Sequence, residues 1–127
     1  MTLPIAQLGQ PVLRQVAAPV PIESITGPEF QTLLMRMFET IRAERGAGLA
    51  APQVFVSQRV FLGMVEAPEN DDDSGKLEVF VNPTLTPLGA EQVDGWEGCL
   101  SFPELLVLVP RFHAVRIDYL DAGGVRR

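Results

Sequence analysis

One stretch constrains the fold of this chain more than any other, the segment Pro28–Arg45. Phe30, Leu33, Leu34, Met37, Phe38 and Ile41 recur at i, i+3, i+4 and i+7 spacing, which lines one face of a helix with apolar side chains. Arg36, Glu39, Arg42, Glu44 and Arg45 fall mostly off that stripe. Thr26 or Gly27 stands as the N-cap, Pro28 suits the first turn and Glu29 complements the helix dipole. Gly46 is placed to end the helix as its C′ residue. The spacing therefore predicts one long helix with a single buried face. It needs a second layer to cover it.

The remainder supplies that layer as strands. With 11 Gly and 11 Pro among 127 residues, the chain is broken often. Leu8–Arg14 reads as a turn into an extended segment, because Pro11 turns Gln10 away from helix. Ala17–Ile25, with Pro19 and Pro21, reads as irregular or polyproline-like. Arg59–Val65 reads as a strand, and Leu77–Val81 as another closed by Asn82-Pro83. Between them, Ala67–Gly75 is acidic and rich in breakers, an exposed loop. Its aspartates lack the alternating ligands and terminal Glu of a calcium loop, so they read as a solvated turn. Ala114–Leu120 alternates, with Val115, Ile117 and Tyr119 on one face and Arg116 and Asp118 on the other, a half-buried strand. Asp121-Ala122-Gly123-Gly124 is then a hairpin turn. The expectation is an α+β fold over residues 1–127, one helix packed on short, mostly antiparallel strands in a single domain.

Composition narrows the function. Apolar residues make up 46% of the chain, enough for a core, and the net charge is −6. An acidic chain is poorly suited to DNA, whose partners need basic patches. No apolar run reaches membrane-spanning length. The start carries no basic region followed by an apolar one, and there is one cysteine. A cytoplasmic protein, with no membrane or DNA partner, is the default expectation.

Two segments carry candidate chemistry. In Gly46-Ala47-Gly48-Leu49-Ala50-Ala51-Pro52-Gln53, Gly48 allows close approach of the backbone to another group. The Gln53 amide offers donors that stabilise charge developing on a carbonyl oxygen. Read without chemistry, the segment is a helix cap followed by a tight turn. In Glu97-Gly98-Cys99-Leu100-Ser101, Cys99 beside Gly98 is a metal ligand, a nucleophile or simply a small buried hydrophobe. The Leu100 N–H is a further donor to an oxyanion.

Together the two segments resemble the first two signatures of the peptide deformylase family. Gly9-Gln10-Pro11-Val12-Leu13-Arg14 resembles the family's Gly-Asp-Pro-Val-Leu-Arg, with Gln10 in place of the acid. Asn82-Pro83 and Val109-Pro110-Arg111 agree as well. The resemblance implies a metal-dependent amidase that removes the formyl group from the N-terminal formyl-methionine of new proteins. It implies that Cys99 is a thiolate ligand of one divalent metal, Fe²⁺ by family with Zn²⁺ able to replace it. Gln53 and the Leu100 N–H would be the oxyanion donors, and Gly48, with Gly46 beside it, would meet the substrate. Glu97 would steady the cysteine loop with Arg111. The implied partners are the formyl-methionyl nascent peptide, bound as an added strand, and, by analogy, the ribosome.

The family completes its site with H-E-x-x-H on a C-terminal helix, and the 127 residues contain no such motif. The domain is therefore expected to be incomplete at its C-terminus, with an incomplete ligand set and no deformylation by this chain alone. An alternative is a non-catalytic peptide-binding remnant, or half of a split enzyme. A third is a cysteine hydrolase pairing Cys99 with His113, the sole histidine, which requires the two side chains to be adjacent. The lone His113 otherwise reads as an incidental polar residue at a strand end. An apolar patch near Cys99 and Leu100 is expected to be exposed and to favour self-association.

Overall fold

The structure, a computed structural model, describes residues 1–66 and 76–127, so the expected acidic loop lies outside the described residues. The one α-helix among the described residues, α1, spans Pro28–Glu44 and buries Phe30, Leu34, Met37, Thr40 and Ile41. Gly27 is the N-cap, without a side-chain bond. The C-terminus closes one residue earlier than expected. Arg45, not Gly46, takes the left-handed conformation at φ 53°. Its N–H donates to the Arg42 carbonyl, and the Gly46 N–H donates to that of Ile41 at 3.0 Å. That pair of bonds is a Schellman closure with Gly46 one place beyond the left-handed residue. Gly46 answers a different demand, since a Cβ there would lie 3.0 Å from Leu100 Cδ1.

Thr40, absent from the apolar stripe, is buried because its hydroxyl is satisfied twice. It donates to the Arg36 carbonyl at 2.7 Å and accepts the Leu3 N–H at 2.9 Å. A buried hydroxyl so paired escapes the desolvation cost of an orphaned one.

Strands β1 (Gly48–Ala50), β2 (Val60–Glu66), β3 (Lys76–Pro87) and β6 (Val115–Leu120) form one antiparallel sheet in the order β1-β2-β3-β6. Strands β4 (Gln92–Cys99) and β5 (Phe102–Phe112) pair as a separate antiparallel ribbon. The core lies where α1 meets Leu49, Val60, Leu62, Val79 and Val81 of the sheet. This is the expected α+β arrangement, although β3 and β5 run to 12 and 11 residues rather than being short.

Several local expectations change. Pro11–Arg14 is a 3-10 turn rather than extended, and Ile22–Ser24 is another. Asn82-Pro83 does not close β3, because the strand bulges between Val81 and Thr84 and continues along β6. Asn82 holds φ 49° there. Its side chain accepts the Val20 N–H at 2.7 Å and donates to the Val20 carbonyl at 2.9 Å. Asparagine tolerates the left-handed conformation, and here the bulge docks a neighbouring segment.

The faces of β6 also divide differently. Leu120 pairs with Val81 and packs on the core. Tyr119 lies on the opposite side, its ring 4.5 Å from that of Phe80, which stacks on Phe61 at 4.7 Å. On the predicted face of Val115, Ile117 and Tyr119, Tyr119 thus packs on a second, small aromatic cluster. Val115 is exposed.

Candidate functional site

The two sequence segments meet at Gln53 and Cys99. β1 leads into a 3-10 turn, Ala51–Val54, in which Pro52 occupies the first turn and Gln53 the third position. There the Gln53 Oε1 accepts the Ala50 N–H at 2.9 Å. That bond fixes which end of the amide is which. The Nε2 end then donates to Cys99 Sγ at 3.3 Å and to Ser101 Oγ at 3.0 Å. The Ser101 N–H also points at Cys99 Sγ, at 3.5 Å. Cys99 is a free thiol, half-buried, and Ser101 is buried. Ser101 is a member of this cluster to which sequence reasoning assigned no role. Its hydroxyl is one of the two acceptors that orient Gln53.

Antiparallel geometry decides what β1 presents. The Met64 N–H donates to the Ala47 carbonyl at 2.8 Å, and Gly48 lies opposite Gly63. Amide groups alternate in direction along such a strand. Ala47 and Leu49 therefore turn theirs toward β2, while Gly48 and Ala50 turn theirs to the outer edge. The capture of the Ala50 N–H by Gln53 agrees with this alternation. β1 is an edge of its sheet, so the Gly48 N–H and C=O face out, beside Gln53. Gly48 is needed for a further reason. A Cβ there would sit 3.0 Å from the Leu62 carbonyl oxygen. The Leu100 N–H lies in the turn between β4 and β5 and donates to no backbone carbonyl among the described residues.

Glu97 and Arg111 form a two-pronged ion pair on the ribbon, Nε to Oε2 at 2.8 Å and one terminal nitrogen to Oε1 at 2.6 Å. The fork geometry matches a carboxylate. The Arg111 hydrogen bond lowers the Glu97 carboxyl below its ordinary value, against a smaller opposing effect of burial. The same bond raises Arg111. The fork shares β4 with Cys99, two residues away.

An N-terminal segment ties the cluster together and left no signal in the sequence. The Ala6 N–H donates to the Gln53 carbonyl at 2.6 Å, and the Leu8 N–H to the Ser101 carbonyl at 2.9 Å. Gln7 Nε2 donates to the Leu100 carbonyl at 3.2 Å.

The thiol–imidazole pairing is excluded. His113 follows Phe112, which pairs with Gln92, whereas Cys99 pairs with Phe102 at the other end of the ribbon. Seven residues of strand separate those ends, roughly 20 Å. No group of three or more His, Cys, Asp or Glu side chains gathers among the described residues to hold a metal. A catalytic metal site takes three protein ligands and keeps an open position. The described residues offer Cys99 alone and do not by themselves fit such an ion.

The ribbon leaves apolar side chains in solvent. Trp96 and Leu106 are each 69% exposed, and Leu105 and Leu108 are about half exposed. Trp96 pairs directly with Leu108, and a Cβ on Gly98 would meet Leu106 at 3.5 Å. Trp96, Leu106 and Leu108 therefore share the face opposite the Glu97–Arg111 fork. No helix among the described residues is long and apolar enough to cross a membrane.

Comparison with known proteins shows the family of the chain. The polypeptide deformylase family profile matches residues 2–126. Peptide deformylase 1 of Nitrosomonas europaea is 42% identical over 126 residues, covering 98% of this chain and 70% of that protein. Peptide deformylase 2 of Bordetella bronchiseptica is 40% identical over 124 residues, covering 96% and 69%. Among solved structures, the Met-Ala-Ser-bound class I type b peptide deformylase of Acinetobacter baumannii superimposes with a TM-score of 0.88 at 32% identity, over 100% of this chain and 81% of that one. The chain, carrying an amide donor, a thiol and an open strand edge in one place, belongs to the polypeptide deformylase family, whose members are hydrolases.

Proposed function

We propose that these residues form the peptide cradle of a deformylase acting on the N-terminal formyl-methionine of new polypeptides, within a single domain. The carrying observation is the oriented Gln53 amide, its Nε2 end held toward Cys99 and its Oε1 end occupied by Ala50. In this reading the formyl oxygen sits against Gln53 Nε2 and the Leu100 N–H. Such donors stabilise developing negative charge, one Gln53 Nε2 hydrogen leaving its Cys99 or Ser101 acceptor for the formyl oxygen. The peptide extends along the outer edge of β1, where the Gly48 N–H and C=O pair with its backbone. Main-chain pairing of that kind accepts many downstream sequences. The Acinetobacter relative, solved with Met-Ala-Ser bound, supports a peptide as the occupant.

The family's chemistry is metal-dependent, and the ligand role in this reading falls to Cys99, a free thiol beside Gln53. The metal is Fe²⁺ by family, with Zn²⁺ the other candidate. Cys99 is one ligand where several are required. Residues 1–127 by themselves are therefore expected to bind a formylated peptide and not to turn it over. The Glu97–Arg111 fork holds β4 against β5 just before the thiol. A cytoplasmic site of action at the ribosome follows from the substrate and completes the reading.

A second reading is favoured by the same contrast. Cradle groups are assembled among the described residues while metal ligands are not, as in a domain that binds the peptide without turning it over. Two measurements on residues 1–127 test both readings. The affinity for N-formyl-Met-Ala-Ser is compared with that for Met-Ala-Ser, and a formate-release assay is run with added Fe²⁺ or Zn²⁺. Preference for the formylated peptide without turnover is the expected result. Equal affinity for the two peptides refutes the cradle, and metal-dependent formate release refutes the inactivity of the chain alone.

A further inference from the structure

We propose that Gln7 is a positioning residue for the two carbonyl-binding donors, a role resting on the assignment of Gln53 and the Leu100 N–H to the formyl oxygen. Three consecutive residues converge on the cluster. Ala6 bonds the backbone of Gln53, Gln7 the backbone of Leu100 and Leu8 the backbone of Ser101. The Ala6 and Leu8 bonds are main-chain, so any side chain at those positions can make them. Gln7 acts through its side chain, and the choice of residue matters.

Both hydrogens of its amide are engaged, one by the Leu100 carbonyl and one by the Ile5 carbonyl, each at 3.2 Å. Its own N–H is held by Gln10 Oε1 at 2.7 Å. The Leu100–Ser101 peptide unit is rigid and planar. Gln7 grips its C=O end, while its N–H end points at Cys99 Sγ, 3.5 Å away. The plane is thus held from opposite sides, by Gln7 outside and by the thiol within. A turn between two strands can otherwise rotate such a plane about the flanking dihedrals. The Leu100 N–H stands on the adjoining peptide unit, joined to that plane through the Leu100 Cα, so holding the plane restricts the dihedrals that relate the two. Gln7 therefore narrows the directions that N–H takes relative to Gln53 Nε2. Gln10, standing where the resembled motif has an acid, supports Gln7 from behind.

The test uses residues 1–127 with Gln7→Met, which keeps length and loses both donors, and Gln7→Lys, which restores a donor. Amide hydrogen exchange and ¹H–¹⁵N shifts of Leu100 and Ser101 are measured, together with the affinities for N-formyl-Met-Ala-Ser and Met-Ala-Ser. In Gln7→Met, exchange at Ser101 is expected to accelerate about fivefold, the size of one modest hydrogen bond, and the Leu100 ¹H–¹⁵N shift to move. Preference for the formylated peptide should fall several-fold while the thermal midpoint stays put. Gln7→Lys should recover both. If Gln7→Met also lowers the midpoint, Gln10→Ala, which removes only the acceptor behind Gln7, should show the same loss of preference in smaller measure. Preference unchanged in Gln7→Met and Gln10→Ala overturns the role of Gln7 and leaves the cradle standing. A wild-type chain indifferent to the formyl group overturns both.

Discussion

Gln53 donates from Nε2 to the sulfur of Cys99 at 3.3 Å while its Oε1 accepts the Ala50 N–H. One side chain thus joins the edge of the main sheet to the end of the ribbon. Replacing Gln53 with Leu leaves the Ala50 N–H and the buried Ser101 hydroxyl without this partner. Loss of such bonds costs about 1–3 kcal/mol. We expect Gln53→Leu to unfold at correspondingly lower denaturant with an unchanged slope, and to lose selectivity for formylated peptide. Gln53→Glu keeps the acceptor for Ala50 but removes the donor. It should keep more stability than Gln53→Leu and lose the same selectivity. Chemical denaturation alongside peptide titration separates these effects.

Glycines should divide by what stands where their side chain would be. At Gly48 a Cβ would lie 3.0 Å from the Leu62 carbonyl, within a paired ladder that cannot move freely. Gly48→Ala is expected to cost about 1–3 kcal/mol, as overpacking does. At Gly95 no atom lies within 4 Å of the same position. Gly95→Ala should be neutral or stabilising by up to about 1 kcal/mol, through the unfolded chain. Thermal melts of the two variants, measured together, check the contrast. A neutral Gly48→Ala would show that β1 is not held as described.

The Glu97–Arg111 fork sets a pH dependence. Arg111 lowers the Glu97 carboxyl below its ordinary value of 4.5. A carboxyl lowered in the folded state favours folding once the pH exceeds its unfolded value. That contribution fades as the pH falls through the lowered folded value. The ribbon should therefore loosen in acid below about pH 4.5, not near neutrality. In Arg111→Met, the Glu97 carboxyl should titrate at higher pH, as followed by its side-chain carbon resonance. An identical titration in the two proteins would show that the fork does not form in solution.

Trp96 and Leu106, each 69% exposed, give the ribbon an apolar face of the kind that drives association. Residues 1–127 are expected to self-associate at high concentration. Trp96→Lys together with Leu106→Glu should reduce this. Because Trp96 is the sole tryptophan, its fluorescence should be solvent-like and readily quenched when dilute, and shielded when concentrated. Light scattering that shows a monodisperse monomer at all concentrations would count against it.

Much of this protein was determined locally. The helix followed from a stripe of apolar residues at 3.6-residue period, because each side chain's face depends only on its neighbours along the chain. The strand over Arg59–Val65 and the turn at Asp121–Gly124 were legible for the same reason. The two short segments pointed to the family through their side chains. Tertiary structure alone decided the rest. Gln53 meets Cys99 across 46 residues of sequence, and Gln7 reaches the Leu100 carbonyl across 93. Main-chain bonds such as those of Ala6 and Leu8 impose no side chain and so leave no mark in a sequence. The bulge that carries β3 past Asn82-Pro83, the left-handed turn at Arg45 and the distance between Cys99 and His113 were likewise fixed by packing. Each depends on how separate elements meet, and no spacing of neighbouring residues encodes that.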